Sequence, residues 1–123
     1  MSAAPGLRLR LILAPGHPFG PGKAALLAAI RDTGSIAAAG RRLDMSYQRA
    51  WDLVAAMNTQ FREPLVAAVK GGARGGGAAL TPLGQQVLAA YGEIVALAAA
   101  AAAERVRWLR DVLAPADGAG GGT

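Results

Sequence analysis

The chain has 123 residues, enough for one domain with its own core and too few for two. Hydrophobic residues make up 53%, but much of that is alanine and aromatics are only 5%, so burial per residue is small and association should supply part of the stability. A net charge of +5, from 13 Lys+Arg against 8 Asp+Glu, favours a polyanionic partner, and the lack of cysteine excludes disulfides, thiolate catalysis and cysteine-held zinc.

Residues 1–6 are small and proline-containing and read as a flexible start, with no charged segment and long apolar run of the kind a signal peptide needs. Leu7 to Leu13 alternates apolar and basic residues, the period of a half-buried strand, with Leu7, Leu9, Leu11 and Leu13 on one face and Arg8 and Arg10 on the other. Pro15, Gly16, Pro18, Gly20 and Pro21 then predict a turn-rich loop. Pro21 can open a helix whose apolar face is Leu26, Leu27 and Ile30, and Gly34 can stop it.

Ser35 is placed to cap a second helix from Ile36 to about Leu43. A tight turn at Asp44-Met45 follows, and Ser46 caps a third helix reaching about Phe61. Along it Ala50, Trp51, Val54 and Met57 recur at helical spacing, which assigns all four to the core face and leaves Ser46, Gln48, Arg49 and Asp52 opposite. Residues 65–69 and 78–80 read as the strands of a hairpin around a glycine-rich loop at 71–77. Thr81-Pro82 starts a last helix that can run to Leu113, about thirty residues or roughly 45 Å. The glycine-rich tail 114–123 reads as flexible.

This order predicts a mainly α fold with a small β-sheet: a winged helix-turn-helix over residues 7–84, then a long dimerisation helix over 85–113. In such a fold the third helix presents its first turn to the DNA major groove. Here that turn is Ser46, Tyr47, Gln48 and Arg49; arginine can bond guanine and glutamine adenine in bidentate fashion. Tyr47 can pack or bring its hydroxyl to a phosphate. Ser35, Arg41, Arg42, and Lys70 and Arg74 at the hairpin complete the expected DNA-binding set. On the last helix, Leu88, Tyr91, Val95, Ala98, Ala102, Val106, Leu109 and Leu113 form the expected dimerisation stripe, which would otherwise leave apolar residues in water.

Other chemistries find little here. The glycine-rich loop lacks the Gly-Lys-Ser/Thr ending and following helix of a nucleotide-binding P-loop. His17 is the only histidine, with no carboxylate cluster beside it, so no metal, cofactor or enzymatic nucleophile–base pair is expected. The apolar run Ile94–Ala103 is about half of a membrane span, so the expectation is a cytoplasmic protein without a membrane partner.

The stretch from Thr33 to Ala39, then Met45-Ser-Tyr-Gln-Arg-Ala-Trp51, Met57-Asn58, Glu63-Pro-Leu-Val66, the glycine-rich loop and Leu80-Thr-Pro-Leu-Gly84 resembles the DNA-binding domain of ModE-type molybdate-responsive transcription regulators, over about residues 24–90. LysR-type regulators share the Gly-Ser and Leu-Thr-x-x-Gly elements but usually carry a Ser-Gln-Pro-type turn where this chain has Ser46-Tyr47 and Ala50-Trp51. The resemblance implies a homodimer that reads a palindromic operator in double-stranded DNA. Ala73 stands where the family's wing usually has lysine, with Arg74 next. ModE-type proteins usually continue into molybdate-binding domains. The expectation is therefore constitutive DNA binding, or a signal from a separate effector-sensing protein. The alternative is a partner-dependent interaction protein that modulates another regulator or a molybdenum-handling protein without binding DNA itself.

Overall fold

In the computed structural model, which describes residues 6–70 and 77–115, two short strands precede three helices, a hairpin and one long helix. They are β1 (Leu11–Ile12), β2 (Pro18–Phe19), α1 (Pro21–Thr33), α2 (Ile36–Arg42), α3 (Tyr47–Gln60), β3 (Val66–Val69), β4 (Gly77–Leu80) and α4 (Pro82–Asp111). This is the mainly α, winged helix-turn-helix order expected from the sequence.

Local chemistry sets the helix ends. Pro21 opens α1, where its missing N–H costs nothing, and Gly34 closes it in the left-handed region at φ 73°, its N–H bonded to the Ile30 carbonyl. The hydroxyls of Ser35, Ser46 and Thr81 accept the backbone N–H groups of Ala38, Arg49 and Gly84 at 3.0, 3.0 and 2.9 Å, capping α2, α3 and α4. Asp44 makes the turn between α2 and α3 at φ 59°, a conformation that aspartate tolerates better than most side chains.

The core lies where α1, α2, α3 and the β3–β4 hairpin meet. Leu26, Leu27, Ile30, Met57 and Leu65 are fully enclosed, and Ala39 and Ala50 let α2 and α3 cross closely. A Cβ on Gly40 would stand 3.1 Å from that of Ala50, so the crossing leaves little room for a larger residue there. β3 and β4 pair antiparallel in the register Val66–Leu80 to Val69–Gly77, and the Ala78 N–H donates to the Gly34 carbonyl at 2.9 Å, tying the hairpin to the end of α1.

Two expectations about the first twenty residues change. The strand predicted over 7–13 narrows to two residues, paired with β2 rather than continuing through Leu13, which is exposed. β2 itself, inside the expected loop, delivers Phe19 to the core. Its ring meets Phe61 and Tyr91 edge-on, with centroids 6.1 and 5.4 Å apart. Beside it Lys23 Nζ donates to the Pro18 carbonyl at 2.7 Å and to Gln60 Oε1 at 3.1 Å; burial, then the charge of Arg10, pushes its pKa down.

The long helix is docked by its first third. Thr81 N–H donates to the Leu65 carbonyl at 3.0 Å and Thr81 Oγ1 to that of Pro64 at 2.7 Å. Any side chain at Gly84 would overlap the Leu65 carbonyl oxygen, so only glycine allows this approach. Farther along, the Tyr91 hydroxyl donates to the Leu9 carbonyl at 2.6 Å and fastens the N-terminal segment to α4. By length and composition α4 could cross a membrane, a property the sequence reading did not assign it. Every 18-residue stretch of it nevertheless contains Glu93 or Glu104, and a carboxylate inside the bilayer is costly.

Candidate nucleic-acid interface

The first turn of α3 stands in solvent. Tyr47, Gln48 and Arg49 are exposed, and Ser46 is held in its cap, so the helix opens with donors pointing away from the core. Gln48 Nε2 donates to Asp52 Oδ1 at 2.8 Å, one turn along, which restrains the amide that was expected to meet a base. That pairing brings a carboxylate beside the two side chains expected to read bases. A carboxylate accepts from cytosine and repels phosphate.

Arg41 and Arg42 occupy the last turn of α2, next to the turn that leads into α3, and both are exposed. Arg42 Nη1 lies 3.6 Å from Asp32 Oδ2, and Arg31 Nε bonds the other carboxylate oxygen at 2.9 Å. The hydrogen bond from Arg31, with the charges of Arg31 and Arg42, holds the Asp32 carboxyl below its ordinary value. Arg41, by contrast, has no ion pair among the described residues. Lys70 follows β3 and is exposed; Arg74, the other expected wing residue, lies outside the described residues.

Between α3 and the hairpin runs an open groove of about 440 Å³. Its walls include Ser35 and Ala37 of the α2 start, Tyr47, Trp51, Val54 and Asn58 of α3, and residues of β3 and β4. The groove thus brings Ser35 and Tyr47 of the expected set to one surface with the wing. Ser35 is already engaged as a cap, so its hydroxyl builds the helix rather than offering a free ligand.

Trp51 overturns its assignment to the core. It is 43% exposed and stands edge-on to Tyr47, ring centroids 6.1 Å apart. The helical phase explains this: Ala50, Val54 and Met57 point inward, and Trp51, one residue past Ala50, is turned about 100° toward the flank shared with Tyr47 and Asn58. Asn58 was not singled out by its chemistry, yet it sets the wing. Its Oδ1 accepts from the N–H groups of Leu65 and Val66 at 2.8 and 3.1 Å, and its Nδ2 donates to the Val66 carbonyl at 3.0 Å. A lone asparagine on a helix flank just ahead of a strand is the signal that could have found it.

The expected dimerisation stripe divides in two. Leu88 and Val95 pack on the protomer's own core, and Tyr91 is only 8% exposed within it, so Tyr91 is removed from the set. Ala98, Ala102 and Val106 are half-buried. Leu109 and Leu113 stand in the open, joined by Leu97, Trp108 and Val112, which the stripe omitted.

These features define a bacterial regulatory helix-turn-helix protein. The family described as "Bacterial regulatory helix-turn-helix protein, lysR family" matches residues 23–85, more than half of the chain, and the chain belongs to that family. Among curated proteins it is similar to the molybdenum-pterin-binding protein MopB of Rhodobacter capsulatus, 53% identical over 81 residues, which are 66% of this chain and 30% of that protein. It is also similar to the molybdenum transport protein ModE of Azotobacter vinelandii, 46% identical over 66 residues, 54% of this chain and 24% of the relative. The transcriptional regulator ModE of Yersinia pestis is 42% identical over 71 residues, 58% and 27% of the two chains. The chain therefore spans less than a third of the length of these relatives. The resemblance to ModE-type DNA-binding domains read from the sequence holds.

Proposed function

We propose that this chain is a sequence-specific DNA-binding transcription regulator of the ModE N-terminal type, acting in the cytoplasm as a homodimer on genes of molybdenum handling. The observation that carries the reading is the exposed first turn of α3 beside the hairpin, with Gln48 and Arg49 outward and Asn58 fixing the wing. Arg49 and Gln48 contact base edges in the major groove, while Arg41, Arg42 and Lys70 hold phosphates. The molybdenum connection rests on the names of the relatives. The dimer rests on the far half of α4 and the residues just after it, where exposed Trp108, Leu109 and Leu113 would be covered by a two-fold mate.

Anisotropy titration of DNA from upstream of the encoding gene, at two salt concentrations, tests the proposal. Affinity is expected to fall with a log–log slope of about −0.9 per phosphate contacted. Hydroxyl-radical footprints should show two related half-sites roughly 34 Å apart or a multiple of it. Salt-independent binding, or a single protected half-site with a monomeric mass, would contradict the reading. No DNA binding but co-purification with another regulator would favour the interaction-protein alternative.

A further inference from the structure

The groove between α3 and the wing has a composition that limits what it can recognise. Among the described residues, no acidic or basic side chain lines it. Of its polar side chains, the Ser35 hydroxyl is engaged in its helix cap and the Asn58 amide in three backbone bonds to the start of β3. Its largest side chains are those of Tyr47 and Trp51, braced edge-on against each other, and Ala37 and Val54 line the same groove. Two large aromatics held 61% and 43% exposed at the opening of a reading helix are poorly used in water.

Resting on the proposal that α3 enters the major groove, we infer that Tyr47 and Trp51 form an apolar reader for the C5-methyl group of thymine. The methyl is the one apolar group that base edges present in that groove, and it distinguishes an A·T pair from the others without any hydrogen bond. The surroundings fit a polyanion: Arg49 opens the same helix and Lys70 follows the adjoining strand, both exposed, and among the described residues no carboxylate lines the groove. Sugar carbons offer apolar surface too, but every nucleotide has them, so contact with them carries no sequence information. The reading side of the molecule is then divided. Gln48 and Arg49 supply polar discrimination, and the aromatic pair supplies discrimination by a single methyl.

Replacing thymine by deoxyuracil removes that methyl and leaves the pairing edge and sugar unchanged. The probe is a duplex selected by the protein from a random library, with each thymine replaced in turn. At one or more thymines per half-site, deoxyuracil should weaken binding by about fourfold, the effect of losing burial of one carbon group. In Trp51→Ala the two duplexes should bind equally well. Tyr47→Ala, at an exposed position outside the core, should narrow the difference in the same way and guards against misfolding of the first variant. If the selected site has no thymine, if deoxyuracil is tolerated everywhere, or if both variants keep the full penalty, the inference is overturned while DNA binding stands. If the protein selects no duplex at all, the proposed function falls with it.

Discussion

Trp51 and Trp108 are both exposed, at 43% and 62%, yet their surroundings give that exposure different meanings. Trp51 is held in a shaped wall: Tyr47 braces its edge, Val54 lies beneath, and Asn58 fixes the strand across the groove. A rigid apolar surface of this kind can discriminate between ligands, because its geometry is set before anything arrives. Trp108 stands on the far half of α4, with Leu109 beside it and Glu104 and Arg105 at the margin of a shallow depression. Among the described residues, only side chains of its own helix border that depression. In the proposed dimer that surface would be covered, and each side chain fully buried there would contribute about 1.5–3 kcal/mol, counted twice across a two-fold axis.

Both surfaces depend on one junction, and breaking it should have the largest effect. Gly84→Ala places a methyl group into the Leu65 carbonyl, a backbone atom that cannot turn aside. The loss of stability is expected to be about 3 kcal/mol or more, read as a lowered urea midpoint. An alanine variant that unfolds like the parent would mean that α4 does not dock on Leu65 as described. Next in size is the paired substitution Trp108→Glu, Leu109→Glu. It should leave the domain folded and convert a dimer to a monomer in sedimentation, with affinity for a two-half-site duplex falling roughly a hundredfold from lost avidity. Trp51→Ala, by contrast, should leave the mass unchanged. If the glutamates do not alter the mass, or if Trp51→Ala does, the separation of the two surfaces is wrong.

The parts legible in the sequence were those decided within one helical turn. Gly34, Ser35, Ser46 and Thr81 end or open helices through bonds to residues three or four away, and their chemistry can be read directly. The parts that escaped depend on residues far apart. Phe19 hides in a proline- and glycine-rich stretch because a two-residue strand has no period, and its burial is decided by Phe61 and Tyr91. Tyr91 looked free for a partner because its own partner, Leu9, lies 82 residues away. Gly84 could be matched to a motif, but the reason for it is a contact with Leu65. Trp51 illustrates a narrower failure. Its neighbours do form the core face, and a rotation of one residue carries it out of that face onto the flank it shares with Tyr47.

The most direct test of the account is a comparison of Arg49→Ala with Lys70→Ala on the selected duplex and on a scrambled one. If the first turn of α3 reads base edges, Arg49→Ala should lower the specific-to-scrambled ratio by about 1–3 kcal/mol, or roughly five- to 150-fold. Lys70→Ala should weaken both duplexes about equally and reduce the salt slope by about one. A ratio unchanged by Arg49→Ala would contradict the claim that this turn carries the specificity.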